Sequence, residues 1–218
     1  MTNQKLNRAR DLHENVPPNW YFDSIKRNLG QRYWHTRRFR EVEKLIEPTG
    51  GRILDIGCAD GVFTKVILDR SKADKIIGID VLATSVAWAR SHWKQNKKMS
   101  FSVGDAHDLK YEANTFNAVF ALEVLEHVFE PEKVLREVKR VLKKGGYGVF
   151  LVPTDSYLFR AIWFFWTKFW RGKIWDHTHI QSFYKGTLLD VARKVGFEIE
   201  VDKKFILGML QAIKVRKI

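Results

Sequence analysis

The sequence predicts an α/β fold, a doubly wound and mostly parallel sheet with helices on both faces. Three observations carry this expectation. Short apolar runs alternate with helix-period segments from residue 52 to residue 153. A glycine-bearing turn follows the first apolar run. Acidic residues stand at the ends of three successive runs, Asp55, Asp80 and Asp105, and in an open parallel sheet those ends converge on one ligand-binding edge.

The elements follow in order. Residues 23 to 46 read as a helical region leading into the first strand, RILDI (52–56). After Gly61, VFTKVILDR has the period of a helix with one face on a sheet. KIIGID (75–80), the helix ATSVAWARSHW (83–93) and MSFSV (99–103) come next, then FNAVFAL (116–122). The helix PEKVLREVKRVLKK (131–144) starts on Pro131, a residue suited to the first turn, and Gly145 and Gly146 are expected to end it. YGVFLVP (147–153) is the fifth strand. The chain then changes character: a helix, GTLLDVARKVG, precedes FEIEVDKKF and QAIKVRKI with no helix between them, which predicts an antiparallel hairpin at one sheet edge.

With 218 residues the chain is expected to form a single domain. Residues 1–47 are read as an N-terminal helical extension and 154–182 as an insertion. The 38 Lys+Arg against 25 Asp+Glu give a formal net charge of +13, favouring nucleic acid, anionic headgroups or phosphorylated metabolites as partners. Cys58 is the one cysteine, so an internal disulfide is excluded and a reducing cytosol is the simplest compartment. The polar N-terminal stretch lacks a secretory signal, and a cytoplasmic location is expected.

LDIGCADG (54–61) turns from strand to helix through Gly57 and Gly61, where the backbone is free to approach a ligand. Its G-x-x-x-G spacing fails the dinucleotide fingerprint, and no G-K-[ST] marks a phosphate loop. Asp80 lies close to the roughly 20-residue offset at which an acidic residue meets ribose hydroxyls. Asp105, in GDAHDL, is placed to accept from an adenine amino group.

LDIGCADG, GID, GDAHDL, FNAVFALEVLEHV and LKKGGYGVFLVP, in this order and spacing, resemble the class I S-adenosylmethionine-dependent methyltransferases, particularly the methyltransferase type 11 group. HIQSFYKGTLLDVARKVGF (179–197) resembles that family's H-x-x-x-F-[ST] segment. The resemblance implies a Rossmann-like, seven-stranded sheet with one antiparallel edge strand, and S-adenosyl-L-methionine as cofactor. It implies that Asp55, Gly57, Ala59 and Gly61 line the methionine part, with Cys58 packed inside the same turn. Asp80 then binds the ribose, Val81 lies against adenine, and Asp105 with Ala106 holds the adenine edge. Leu122 and Glu123 border the methyl-transfer position. Ala59 departs from the family's glycine, a change that is tolerated without strain where the backbone stays out of the positive-φ region; Asp60 replaces a common threonine.

Methyl transfer from a sulfonium depends on alignment of donor and acceptor, and a base helps when the acceptor loses a proton. The candidates are His127, Asp176, His177 and His179, and no metal site is expected. The fourth strand lacks the [DN]-P-P-[YFW] motif of base amino-methylation, and no second cysteine serves C5 methylation, so nucleic acid falls back as a substrate.

The run YLFRAIWFFWTKFWRGKIW (157–175) supplies the evidence on the acceptor. As a helix over 157–171 it is apolar nearly all round, with Arg160 and Lys168 too frequent for a bilayer span. It reads as a lid, a membrane-interface helix or a subunit contact. Tyr33, Trp34 and Arg37 are further candidates for the cofactor carboxylate or the acceptor. The resulting expectation is methyl transfer to oxygen or carbon of a small, lipophilic or lipid-linked acceptor at an anionic membrane surface. The alternatives are an RNA or protein methyltransferase and a non-catalytic S-adenosylmethionine-binding protein.

Overall fold

The computed structural model describes residues 16–27, 29–154, 156–169, 180–183 and 187–218. Its centre is a seven-stranded sheet in the order β3-β2-β1-β4-β5-β7-β6. The strands are β1 (Arg52–Ile56), β2 (Lys75–Asp80), β3 (Met99–Val103), β4 (Phe116–Leu122), β5 (Leu142–Pro153), β6 (Glu198–Phe205) and β7 (Leu210–Arg216). β1 pairs in parallel with β2 and β4, and β4 in parallel with β5. β7 is antiparallel to both β5 and β6. The expected doubly wound sheet and closing hairpin are therefore present. The antiparallel strand lies one place in from the edge, and β6 forms the edge itself.

Alternation along the strands feeds two cores. Leu54, Ile56, Val119, Ala121 and Phe150 face α5 (Pro131–Val141) and α7 (Thr187–Val195). Ile53, Ala118, Phe120 and Val149 face the other way, toward α3 (Val62–Ser71) and α4 (Ala83–His92). Both faces of the inner strands β1, β4 and β7 are buried, which is why RILDI and FNAVFAL read as near-continuous apolar runs, while the edge strand β6 alternates exposed and half-buried residues.

Three boundaries differ from expectation. The N-terminal helical region is two helices, α1 (Trp20–Arg27) and α2 (Leu29–Glu43). α5 stops at Val141, because Leu142 adopts an extended backbone, is fully buried and already pairs with Phe116. Gly145 and Gly146 thus lie inside β5, where the register shifts between Phe116 and Ala118, and do not cap the helix. The insertion forms α6 (Tyr157–Phe169). Among the described residues no helix is long and apolar enough to cross a membrane.

Candidate functional site

Above the carboxyl ends of β1, β2 and β4 lies a cavity of about 370 Å³. Its floor comes from the strand ends: Gly57 and Ala59 after β1, Asp80 and Val81 after β2, Asp105 and Ala106 after β3, Glu123 and Val124 after β4. Its roof comes from the N-terminal helices through Trp20, Tyr21, Gln31, Trp34 and His35. Phe159, Ile162 and Trp163 of α6 close one side, with Pro153 and Leu210 behind them.

The turn after β1 is glycine-bound for steric reasons. Gly57 has φ 72°, and a Cβ there would stand 2.3 Å from Val124 Cγ2. Gly61 has φ 78°, and a Cβ there would meet Trp93 Nε1 at 2.7 Å. Ala59 does not meet the condition for a strain-free departure from glycine: its φ is 44°, inside the left-handed region. Its amide donates to Asp80 Oδ2 at 2.9 Å, while Leu82 N donates to Asp80 Oδ1 at 2.9 Å. This two-sided grip fixes the Asp80 carboxylate between the turn and the end of β2, and holds the turn in its strained form.

Asp105 is fixed in a comparable way. Its Oδ1 accepts from His107 N at 2.9 Å and lies 2.7 Å from His107 Nδ1, while His107 Nε2 accepts from Glu130 N at 3.4 Å. Since Nε2 accepts, Nδ1 carries the ring proton and donates to Asp105. Burial alone would raise the Asp105 pKa, but these His107 hydrogen bonds outweigh it and hold the carboxyl below its ordinary range.

Asp55, Cys58, Gly61 and Leu122 do not line the cavity; they stand behind its wall. Asp55 is buried and accepts from Thr64 Oγ1 at 2.5 Å, and burial pushes its pKa up to about 7. Burial also raises the Cys58 thiol well above its ordinary value. Asp60 ties the roof to the floor: its carboxylate accepts from Phe22 N of α1 at 2.8 Å and from Val62 N of α3 at 3.2 Å.

A second tie runs between α2 and the end of β4. Arg38 is buried and pairs with the carboxylate of Glu123, a residue held at φ 57°. Arg38 NH2 lies 2.6 Å from His35 Nδ1. A guanidinium only donates, so Nδ1 accepts and the His35 proton sits on Nε2. Burial, reinforced by the Arg38 charge, lowers the His35 pKa to about 2, so the ring is neutral. Its Nε2 has no hydrogen-bond partner among the described residues, and His35 lines the cavity.

His127 also lines the cavity, on a single 3-10 turn, Leu125–His127. Asp176, His177 and His179 lie outside the described residues. Of the three N-terminal candidates only Trp34 lines the cavity; Tyr33 is exposed, and Arg37 turns to Glu41 at 3.7 Å. Sequence reasoning passed over Tyr21, His35, Arg38 and His107. The available signal was the spacing of His35 and Arg38, three apart on one helix and therefore on one face.

A parallel sheet with a glycine turn after β1 and carboxylates after β2 and β3 defines the class I S-adenosylmethionine-dependent methyltransferase architecture. Residues 54–150 match the family Methyltransf_11, a methyltransferase domain. Over 111 residues the chain is 32% identical to the ubiquinone biosynthesis O-methyltransferase of Xanthomonas axonopodis pv. citri, covering 50% of this chain and 46% of that one. Over 113 residues it is 33% identical to the sterol 24-C-methyltransferase of Aspergillus fumigatus, covering 50% of this chain and 30% of that one. The chain thus spans less than half the length of these relatives. The fold is shared with an S-adenosylmethionine-dependent methyltransferase from Mesorhizobium loti, at a TM-score of 0.65 and 18% identity, over 93% of this chain and 99% of that one.

S-adenosylmethionine is the cofactor of this domain class, and the cavity fits its chemistry. The carboxylates of Asp80 and Asp105 are among its lining groups and are acceptors suited to hydroxyl and amino donors, and Gly57, which also lines it, has no Cβ because Val124 occupies that place. The buried Nε2–H of His35 offers a donor with no acceptor among the described residues.

Proposed function

We propose that this protein transfers a methyl group from S-adenosylmethionine to oxygen or carbon of a small, lipophilic or lipid-linked acceptor. The observation that carries the reading is the composition of the cavity beyond Glu123. Val124, Val128, Pro153, Phe159, Ile162 and Trp163 make that part apolar, so it favours an acceptor that gains by leaving water. The similarity to methyltransferases of ubiquinone biosynthesis and of sterols supports the same class of acceptor. An apolar pocket also stands against the RNA and protein alternatives, which call for a broad basic groove.

In this reading Asp80 accepts from the ribose hydroxyls, Asp105 from the adenine amino group, and Val81 and Ala106 flank the ring. Gly57 and Ala59 pass close to the methionine portion, with Asp55, Cys58, Gly61 and Leu122 supporting the turn from behind. When bound, the cofactor supplies an activated methyl group on a sulfonium. The chain's own work is alignment and exclusion of water: the roof from α1 and α2 covers the donor, while Phe159, Ile162 and Trp163 hold the acceptor beside Glu123. His127 is the cavity-lining candidate for taking the acceptor's proton. His177 and His179 remain candidates from the sequence. A cytoplasmic, membrane-peripheral location completes the proposal, since an acceptor of this kind partitions into bilayers.

Titration calorimetry with S-adenosylmethionine tests the reading. Wild type is expected to bind and Asp80→Ala to bind at least about tenfold more weakly, the scale of a lost charge-assisted hydrogen bond. Absence of binding by the wild type, or an unchanged affinity in Asp80→Ala, overturns it.

A further inference from the structure

Helix α6 has two faces. Phe159 is buried and stacks on Trp163 with ring centroids 5.5 Å apart, and Ile162 and Trp163 line the cavity. On the outside, Tyr157 is 80% exposed, Leu158 42%, Phe164 53% and Phe165 61%. Four large apolar side chains on one short helix form a patch of the kind that marks a contact surface. The helix has no acidic residue, and its two charges, Arg160 and Lys168, are exposed cations.

That charge pattern selects the occupant. A second copy docking through the same face would bring two cationic sets together with no carboxylate on either helix. An anionic bilayer complements both features, because aromatic rings settle at the headgroup boundary while Arg and Lys reach the phosphates. The net charge of +13 adds attraction of the same sign. We propose that the outward face of α6 docks on an anionic membrane while its inward face walls the acceptor pocket. A bilayer-dissolved acceptor then reaches the cavity past Ile162 and Trp163 without crossing water. The route rests on the methyltransferase reading above; the docking surface does not.

The test is co-sedimentation of the full chain with vesicles of phosphatidylglycerol and phosphatidylcholine in roughly equal parts, beside vesicles of phosphatidylcholine alone, at low ionic strength. Wild type is expected to sediment with the anionic vesicles and to be released at about 1 M salt, where the Debye length is about 3 Å. The pair Phe164→Ser with Phe165→Ser is expected to lower partitioning at least about tenfold, and Arg160→Gln with Lys168→Gln roughly fivefold per charge. Neither pair touches the cofactor floor, so calorimetric affinity for S-adenosylmethionine should be unchanged in both and reports that they fold. Wild type that stays in the supernatant overturns the docking surface. So do variants that sediment like wild type, or a dimer in light scattering that the Phe164→Ser, Phe165→Ser pair dissolves without any vesicle binding. Protein that sediments as expected yet binds no S-adenosylmethionine supports docking and overturns the route.

Discussion

Arg38 on α2 and Glu123 at the end of β4 are joined by an ion pair across 85 residues of chain, with side chains only 3% and 18% exposed. The pair links the roof of the cavity to the strand end in its floor. Removing one partner strands the other in a dry setting, a change that costs about 3–5 kcal/mol. Arg38→Gln is therefore expected to lower the unfolding midpoint by roughly 6–20 °C, at about 2–4 °C per kcal/mol for a chain of this size. Thermal unfolding of Arg38→Gln, Glu123→Gln and the double variant checks it. The double variant should be less damaged than the sum of the singles, and strict additivity would refute the coupling.

Asp55 sets a pH dependence of unusual sign. Its native pKa is raised to about 7 by burial, with the Thr64 hydrogen bond opposing and Asp80 adding. The native state thus keeps a proton that the unfolded chain releases near pH 4. Its contribution is fully present below the unfolded pKa and is lost as pH rises through about 7. Relative to Asp55→Asn, wild type should lose stability from pH 4 to pH 7 by at most about 1.4 kcal/mol per unit. Urea titrations of both proteins across that range measure the difference, and a flat difference contradicts the assignment.

His35 acts in the opposite direction. Burial and the Arg38 charge depress its pKa to about 2, so its contribution is present above the unfolded value, about 6.5, and is lost as pH falls below it. Against His35→Gln, whose amide oxygen can still accept from Arg38, wild type should weaken steadily on acidification from pH 7 to pH 5. The same titrations read this. A difference that grows in favour of wild type would contradict a neutral His35.

Ala59 stores strain in the left-handed region at φ 44°. Ala59→Gly relieves about 1–2 kcal/mol of that strain, less the roughly 0.4–1 kcal/mol of chain entropy that glycine adds to the unfolded state. A net gain of about 1 kcal/mol, a rise of 2–4 °C in the midpoint, is expected. Ala59→Val should instead destabilise, since a β-branched residue resists positive φ.

The floor of the site was legible because parallel strands bring all their carboxyl ends to one edge. Asp80 and Asp105, separated in sequence, could be placed together from the strand pattern alone. Strands β1 and β4 were legible because both their faces are buried and turn residues bound the runs. The start of β5 was not. Lys143 through Gly146 carries strong helix-stop chemistry, while the feature that begins the strand is Leu142 pairing with Phe116, a contact no local pattern reveals. Of the roof only Trp34 was legible. His35 and Arg38 acquire their roles only through Glu123, and Asp60 through Phe22, 38 residues earlier in the chain. The positive φ of Ala59 was not legible either, because its amide is held by Asp80, from a different strand.

The tie between Asp60 and α1 bears on where recognition of the donor begins and ends. The span that marks the family runs from residue 54 to residue 150, and it contains every carboxylate of the floor. It contains none of Tyr21, Trp34, His35, Phe159 or Trp163. A chain cut back to that span would keep the recognisable signature and yet present its carboxylates on an open ledge. What makes the signature a reaction chamber is contributed by the stretches on either side of it.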